Sequence, residues 1–182
     1  LYTSNEAFGP QAEYIRDGLD WDKWTTAFEK VCSEANIEGL HMMMTINALC
    51  LDTIVEFFDW MLEMKRKYGH NRPGFTCNIL RFPSFQSVNV LPNIIKKSKA
   101  DEIDEGLISN GSMLKPDEVN QLQRLVAYLR KVEKSYDDKD TTENKENDFK
   151  RFFTQYTERR DQDIVKIIND EHFTQWWEGI NV

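Results

Sequence analysis

The order of apolar and polar positions along the first half of this chain predicts strands alternating with helices. Strand-like runs cover residues 1–5, 38–47 and 75–82. Between them, apolar residues recur three or four positions apart, which is the helical period, at residues 11–17, 20–36 and 52–68. Strand, helix, strand in this order is typical of a parallel α/β sheet. We therefore expect three adjacent parallel strands whose carboxyl ends share one edge.

The ends of these elements carry recognisable signals. Asp20 is a favourable N-cap for the second helix. Gly69 suits the position after the third and strongest helix, because glycine readily adopts the left-handed conformation that ends many helices. Pro83 is expected to stop the third strand, since proline lacks the N–H that a strand ladder uses.

The middle strand is expected to have two different faces, because side chains alternate across a strand. One face is apolar and suits packing under helices: Met42, Met44 and Ile46. The other face is more polar than a filled core requires, and it carries His41, Met43, Thr45 and Asn47. This polar face is a candidate lining for a ligand cavity, although a satisfied core histidine is the more ordinary role for His41.

Beyond Pro83 the pattern predicts an irregular segment to residue 91, followed by a mostly helical half. Helices are expected from Pro92 to about residue 108 and from Pro116, with a turn at Asn110 and Gly111. Two later helices carry aromatic stripes: Phe149, Phe152, Phe153 and Tyr156 in one, and Phe173, Trp176 and Trp177 in the other. Helix packing explains these aromatics more simply than a partner surface does. The chain is accordingly divided into an α/β part, residues 1–91, and a helical extension, residues 92–182.

Charge and hydropathy exclude two classes of partner. The 182 residues carry a formal net charge of −8 with the acids spread along the chain, whereas a nucleic-acid footprint needs a basic stripe. The longest apolar run is far short of the ~20 residues that a membrane span needs. The charged stretch at residues 137–147 is expected to be an exposed connector, in which Asp140 and Glu143 resemble a capping box.

The cysteines do not form a metal motif. Cys32, Cys50 and Cys77 are widely spaced and include no C-x-x-C, so no local zinc or iron–sulfur site is indicated. Nor do histidine, cysteine and carboxylate residues recur with metal-ligand spacing. Buried thiols in a reducing, cytoplasmic setting are the simplest interpretation.

Several segments in fixed order resemble radical S-adenosylmethionine (SAM) enzymes. Residues 4–9 read Ser-Asn-Glu-Ala-Phe-Gly, and residues 12–21 follow with an arginine–glycine helix start. In that superfamily the fourth strand of a partial (β/α)6 barrel ends in a similar Ser-x-Asp/Glu turn. Residues 43–49 resemble the next strand and residues 80–83 the last one. The segment from Phe152 to Asp161 is similar to the tail of the twitch-domain branch, which is common in phage and environmental sequences.

The resemblance implies that the chain is the C-terminal half of a partial (β/α)6 TIM-like barrel, with about three parallel strands and a helical tail. The 4Fe–4S cluster would then belong only to a missing N-terminal part, supplied in cis or in trans. The cysteine motif of that part is absent here, so whether this chain acts as an enzyme stays open. No auxiliary cluster is expected, since no cysteine lies beyond Cys77. The substrate is not indicated. The alternative is a non-catalytic α/β interaction module, or a remnant, that pairs with a separate N-terminal half.

The resemblance also implies a set of cofactor-binding residues from the first strand and helix. Ser4 and Glu6 match positions that contact the ribose and amino-acid part of SAM, and Arg16 matches an arginine facing the SAM carboxylate. The simpler alternatives are a polar strand end for Ser4 and Glu6, and a surface ion pair of Arg16 with Asp17 or Glu13.

The other implied SAM contacts lie at the ends of the second and third strands. Thr45 and Asn47 end the polar face of the middle strand, and ordinary strand-end hydrogen bonding is their alternative role. Leu80 and Arg81 match the place where the family packs the adenine ring.

Overall fold

A computed structural model describes residues 1–131 and 142–182 of the chain. Three strands are present in these residues: β1 (Tyr2–Ser4), β2 (His41–Ile46) and β3 (Gly74–Ile79). The α-helices are α1 (Gly9–Ile15), α2 (Trp21–Glu34), α3 (Ile54–Tyr68), α4 (Asn93–Asn110), α5 (Pro116–Arg130), α6 (Thr142–Glu158), α7 (Ile164–Ile167) and α8 (Glu171–Gly179). Short 3₁₀ turns cover Ser84–Gln86, Val88–Val90 and Gly111–Met113. The described residues include no helix that is both long and apolar enough to cross a bilayer.

The strands form one parallel sheet in the order β1-β2-β3, which confirms the prediction of adjacent parallel strands. In register, Met43 lies between Ser4 of β1 and Thr76 of β3. The strands are shorter than expected, with three residues in β1 and six each in β2 and β3. β3 stops at Ile79, before Pro83, and the N–H of Leu80 donates to the carbonyl of Ile46 at 2.8 Å.

The predicted helix signals act as expected. The Asp20 side chain accepts a hydrogen bond from the N–H of Lys23 at 3.0 Å, which caps α2. Gly69 ends α3 with a φ of +95°, and its N–H donates to the carbonyl of Lys65 at 2.8 Å. α1 begins at Gly9, two residues earlier than predicted, because Pro10 is well placed in the first turn of a helix.

The two faces of β2 differ as the alternation predicts. Met42, Met44 and Ile46 are fully buried under the helices. On the opposite face Met43 is 42% exposed and Thr45 is also exposed. A parallel sheet is normally covered on both faces. The described part of the chain leaves this second face of the sheet open.

The helical half follows the predicted order, with one correction. Residues 142–147 belong to α6 and are not a connector; residues 142–144 are exposed and residues 145–147 are half-buried. This part of α6 is held by its neighbour, since the indole N–H of Trp176 donates to Glu146 Oε1 at 2.9 Å. Residues 137–141, including Asp140 of the expected capping box, lie outside the described residues, whereas Glu143 lies in the first turn of α6. α4 runs to Asn110, two residues beyond the predicted end.

A buried ion pair joins α3 and α5 to the sheet. Lys65 Nζ lies 2.9 Å from Glu118 Oε1, and both side chains are almost fully buried. Glu118 Oε1 also accepts the N–H of Phe75 in β3 at 3.1 Å, while Oε2 accepts the N–H of Lys115 at 2.8 Å. Lys65 Nζ donates in addition to the carbonyl of His70 at 3.2 Å. Both buried charges are therefore hydrogen-bonded, as burial of an ion pair requires.

Candidate functional site

The carboxyl edge of the sheet brings together most of the predicted site residues. Ser4 ends β1, Thr45 and Asn47 lie at the end of β2, and Leu80 directly follows β3. Ser4 is half-buried, Thr45 is exposed and Leu80 is half-buried. Arg81, beside Leu80, is exposed. Binding sites of parallel α/β proteins form at this edge, because the loops after the strands converge there.

Glu6 is held inside the protein by Arg16. The Glu6 residue is 3% exposed, and its Oε2 lies 2.6 Å from Arg16 Nη2. Burial raises the pKa of the Glu6 carboxyl, against the opposing effects of the Arg16 charge and a backbone hydrogen bond from Thr45. The pair ties the end of α1 to the end of β1. Glu6 is therefore a structural part of this edge, because its buried carboxylate already pairs with Arg16.

Arg16 does not pair with its sequence neighbours. Asp17 instead forms an ion pair with Arg160, at 3.0 Å, and Glu13 accepts the N–H of Trp21 at 2.8 Å. One third of the Arg16 side chain remains exposed. Its Nε has no hydrogen-bond partner among the residues that the structure describes. The guanidinium thus retains hydrogen-bonding capacity beyond its contact with Glu6.

Asn47 shapes the loop that follows β2. Its Oδ1 accepts the N–H groups of Leu49 and Cys50 at 2.9 and 3.2 Å, and its Nδ2 donates to the carbonyl of Thr45 at 2.9 Å. This is the hydrogen-bonding role expected of a polar strand end. One N–H of the Asn47 carboxamide is left over, because the group carries two.

Two buried polar residues at this edge were not predicted. Asn5 accepts the N–H of Glu6 at 2.9 Å through Oδ1, and Gln11 donates from Nε2 to the carbonyl of Leu49. Both residues are 1% exposed. Asn5 Nδ2 and Gln11 Oε1 have no partner within the described ranges. Their positions in the sequence could have indicated a place at this edge, because Asn5 lies in the same strand-end turn as Glu6 and Gln11 lies in the helix that follows.

His41 lies away from this edge. It begins β2, so about 20 Å of strand separates it from Asn47. Its Nε2 is 3.3 Å from Thr76 Oγ1, and burial together with the nearby Lys115 charge lowers its pKa. A cavity of about 680 Å³ opens beside it at the amino edge of the sheet, where Gly74 and Lys115 also contribute.

The cysteines are buried free thiols, as predicted. Burial raises the pKa of Cys32 to about 11 and that of Cys77 to about 12, and it also raises the pKa of Cys50. In residues 1–131 and 142–182, no three His, Cys, Asp or Glu side chains come together in a way that could hold a metal ion. The expectation that the chain binds no iron–sulfur cluster stays a prediction.

Helix α6 covers part of the carboxyl edge and leaves a cavity of about 170 Å³. The loops after β2 and β3 contribute Asn47 and Gln86, and the N–H of Ala48 bonds to the carbonyl of Gln86 at 2.9 Å. Aromatic side chains of α6 line the opposite wall: Phe149, Phe152, Phe153 and Tyr156.

No protein-family model, curated protein or solved structure matches this chain.

Proposed function

We propose that this chain is part of a radical SAM enzyme, in which it contributes SAM-pocket and substrate-side residues for hydrogen abstraction by a 5′-deoxyadenosyl radical. In this proposal the sheet is the C-terminal half of a partial (β/α)6 barrel, the helices from α4 onward form the twitch-type tail, and the setting is cytoplasmic. The 4Fe–4S cluster belongs to an N-terminal half supplied in cis or in trans. The order and spacing of the resembling segments support this assignment.

The open polar face of the sheet is the observation that carries the proposal. Met42 and Met44 are covered, whereas Met43 and Thr45 face solvent on the other side. Ser4 lies beside Met43 in the register. A parallel sheet with one face uncovered and lined by hydroxyls and a thioether fits the inner wall of a barrel that receives a ligand.

The geometry divides the proposed SAM contacts into two groups. Ser4 and Thr45 have hydroxyls at the carboxyl end of the open face, where they can bond directly to the ribose or to the amino-acid part of SAM. Arg16 has a partly exposed guanidinium that suits a carboxylate. Glu6 and Asn47 are engaged in protein contacts and act as positioning residues.

Leu80 and Arg81 complete the set beside the end of β2. Leu80 is half-buried there and offers an apolar surface to the adenine ring. The chemistry that SAM and its cluster supply is homolytic cleavage to a carbon radical. This chain's share is binding, orientation and exclusion of water.

Anaerobic SAM titration of the chain joined to a cluster-bearing N-terminal half tests the proposal. We expect Thr45→Ala to weaken SAM binding about ten-fold, with cluster absorbance unchanged. The matched control is Thr26→Ala, an exposed threonine on α2. The unjoined chain should bind SAM no more tightly than about 1 mM, because the cluster normally holds the SAM amino and carboxylate groups. If the Thr45→Ala variant binds SAM with wild-type affinity, the open face of the sheet is not part of the SAM site.

The alternative is a non-catalytic interaction module, and the free edge of β1 favours it. No strand within the described residues pairs with the outer side of β1, where Leu1 and Tyr2 are well exposed. An apolar groove beside them is lined by Trp24, Phe28 and other residues. An unpaired edge of this kind can accept a further strand.

Size-exclusion chromatography with the N-terminal half added in trans distinguishes the two functions. The N–H of His41 donates to the carbonyl of Leu1, so Leu1 and Thr3 face β2 and the N–H of Tyr2 lies on the outer side of β1. Complex formation that is lost in Tyr2→Pro, together with no SAM binding by the complex, favours the module. Complex formation with SAM binding that depends on Thr45 favours the enzyme.

A further inference from the structure

The cavity between α6 and the carboxyl edge has the size of a single aromatic ring. Its volume is about 170 Å³, and an engineered apolar cavity of roughly 150 Å³ is known to accept benzene. Drug-sized ligands need at least ~300 Å³, so the cavity suits one flat group rather than an extended molecule.

The walls of the cavity are suited to a flat ring. Phe152 and Tyr156 lie one helical turn apart on α6 with their rings only 17° from parallel. Phe152 also contacts Phe85, which follows β3, at 5.4 Å between ring centroids. Phe152 is 43% exposed although it packs against three other rings, so it marks the open side of the cavity. Stacking on such rings tolerates any planar π-system.

The polar end of the cavity consists of two carboxamides. Asn47 retains one unused N–H after its loop contacts. In the described residues Gln86 bonds through its backbone, accepting from Ala48 at 2.9 Å and donating to Pro83 at 3.0 Å. Its half-buried carboxamide is therefore available as both donor and acceptor. A purely apolar ring would leave these groups without partners, which costs free energy.

From this combination we propose that the cavity binds a nucleobase-like heteroaromatic ring, stacked on the α6 aromatics, read by Gln86 through its adjacent donor and acceptor atoms and by Asn47 through its remaining N–H. Glutamine and asparagine recognise the donor–acceptor edge of adenine in this way. The cavity is open beside Phe152, so the second ring of a purine and an attached sugar extend toward solvent. The inference rests on the cavity alone and does not depend on the proposed barrel.

Saturation-transfer NMR on the full chain, with adenine and indole as probes, tests the proposal. The two probes are similar in size and shape, but the all-carbon six-membered ring of indole lacks the donor–acceptor edge. We expect adenine to bind, and Phe152→Ala to weaken its binding five-fold or more through lost stacking. Gln86→Ala should weaken adenine five-fold or more and leave indole unchanged. Ile108→Ala removes an exposed apolar side chain elsewhere and is the control for both probes.

Three outcomes overturn the proposal: no transfer to adenine at about 10 mM, adenine binding unaffected by Phe152→Ala, or equal effects of Gln86→Ala on both probes. Thermal melting followed by circular dichroism confirms that each variant is folded, and Gln86→Leu gives a second, bulkier test of the carboxamide. Adenosine and SAM are added as competitors to identify the source of the ring. Displacement by adenosine alone assigns the cavity to a free nucleoside, and displacement by SAM as well assigns it to the adenosyl group.

Discussion

At the scale of single residues, several polar side chains take part in contacts that link segments distant in sequence. The Asp52 carboxyl is a partly buried group whose pKa lies in the experimentally accessible range. It lies just before α3, and burial raises its pKa to about 6, with Asp170, Glu56 and Glu102 adding to the effect and Lys99 opposing it. An acid whose pKa rises on folding holds its proton more tightly in the folded chain. Stability therefore falls as pH rises through the range between the unfolded and folded pKa values.

Replacing this carboxyl should stabilise the protein near neutral pH. The shift from 3.8 to about 6 corresponds to at most ~3 kcal/mol, and solvent screening of a partly buried group reduces this to about 1–2 kcal/mol. We expect Asp52→Asn to raise the free energy of unfolding by that amount at pH 7.5, and to have little effect at pH 4. Urea unfolding at both pH values measures it. The exposed Asp59→Asn is the control, and an equal gain at both pH values would contradict the assignment.

At the scale of elements, the sequence was informative where the signal is local. The alternation of apolar Met44 and Ile46 with polar Thr45 and Asn47 predicts which face of β2 is buried, because a two-residue period needs no knowledge of the partner. The Asp20 cap is equally local. By contrast, Arg16 bonds to Glu6 and not to Glu13 or Asp17, and this follows only when the end of α1 turns back onto the end of β1.

The Lys65–Glu118 pair could not be predicted for the same reason. The two residues are 53 positions apart, and lysine near the end of a helix is more often a solvated charge that complements the helix dipole. The cavity under α6 also depends on tertiary packing, because Gln86 and Phe152 give no joint signal in the sequence. The identity of the bound molecule is less predictable still, since Ser4 and Thr45 suit many polar ligands.

Breaking the buried pair should destabilise the contact of α3 and α5 with β3. Lys65→Met leaves Glu118 buried without its cation, which costs about 3–5 kcal/mol. The double variant with Glu118→Gln should cost less than the sum of the single changes, because the amide keeps one acceptor oxygen for the N–H of Phe75 and carries no charge. Chemical denaturation of the three variants forms a double-mutant cycle.

The exposed pair of Lys30 and Glu34 provides the comparison for this cycle. Its atoms are 4.0 Å apart and both side chains face solvent, so Lys30→Met should change stability by less than about 0.5 kcal/mol. Additive costs at Lys65 and Glu118 would mean that the two groups do not interact in solution.

At the scale of the whole molecule, the tail and the sheet share one hydrophobic core. Phe149 of α6 is fully buried in the same cluster as Met44 of β2. Tyr156 reaches across 142 positions to donate from its hydroxyl to the carbonyl of Tyr14 at 3.0 Å. Such contacts link the predicted parts 1–91 and 92–182. We therefore expect the two parts to unfold together, even though one is α/β and the other helical.

Phe149→Ala tests this cooperativity directly. Removing a fully buried phenylalanine from α6 should cost about 3–5 kcal/mol, because it leaves a cavity in the shared core. In a background with Trp176→Phe and Trp177→Phe, the remaining tryptophans all lie in the α/β part: Trp21, Trp24 and Trp60. The free energy of unfolding measured by their fluorescence should then fall by the same amount as the value measured by far-ultraviolet circular dichroism, which reports all helices. Ile108→Ala in the same background should leave both transitions within about 0.5 kcal/mol. A fluorescence transition that stays in place while the helical signal shifts would mean that the tail folds on its own, and that α6 covers the carboxyl edge of the sheet without stabilising it.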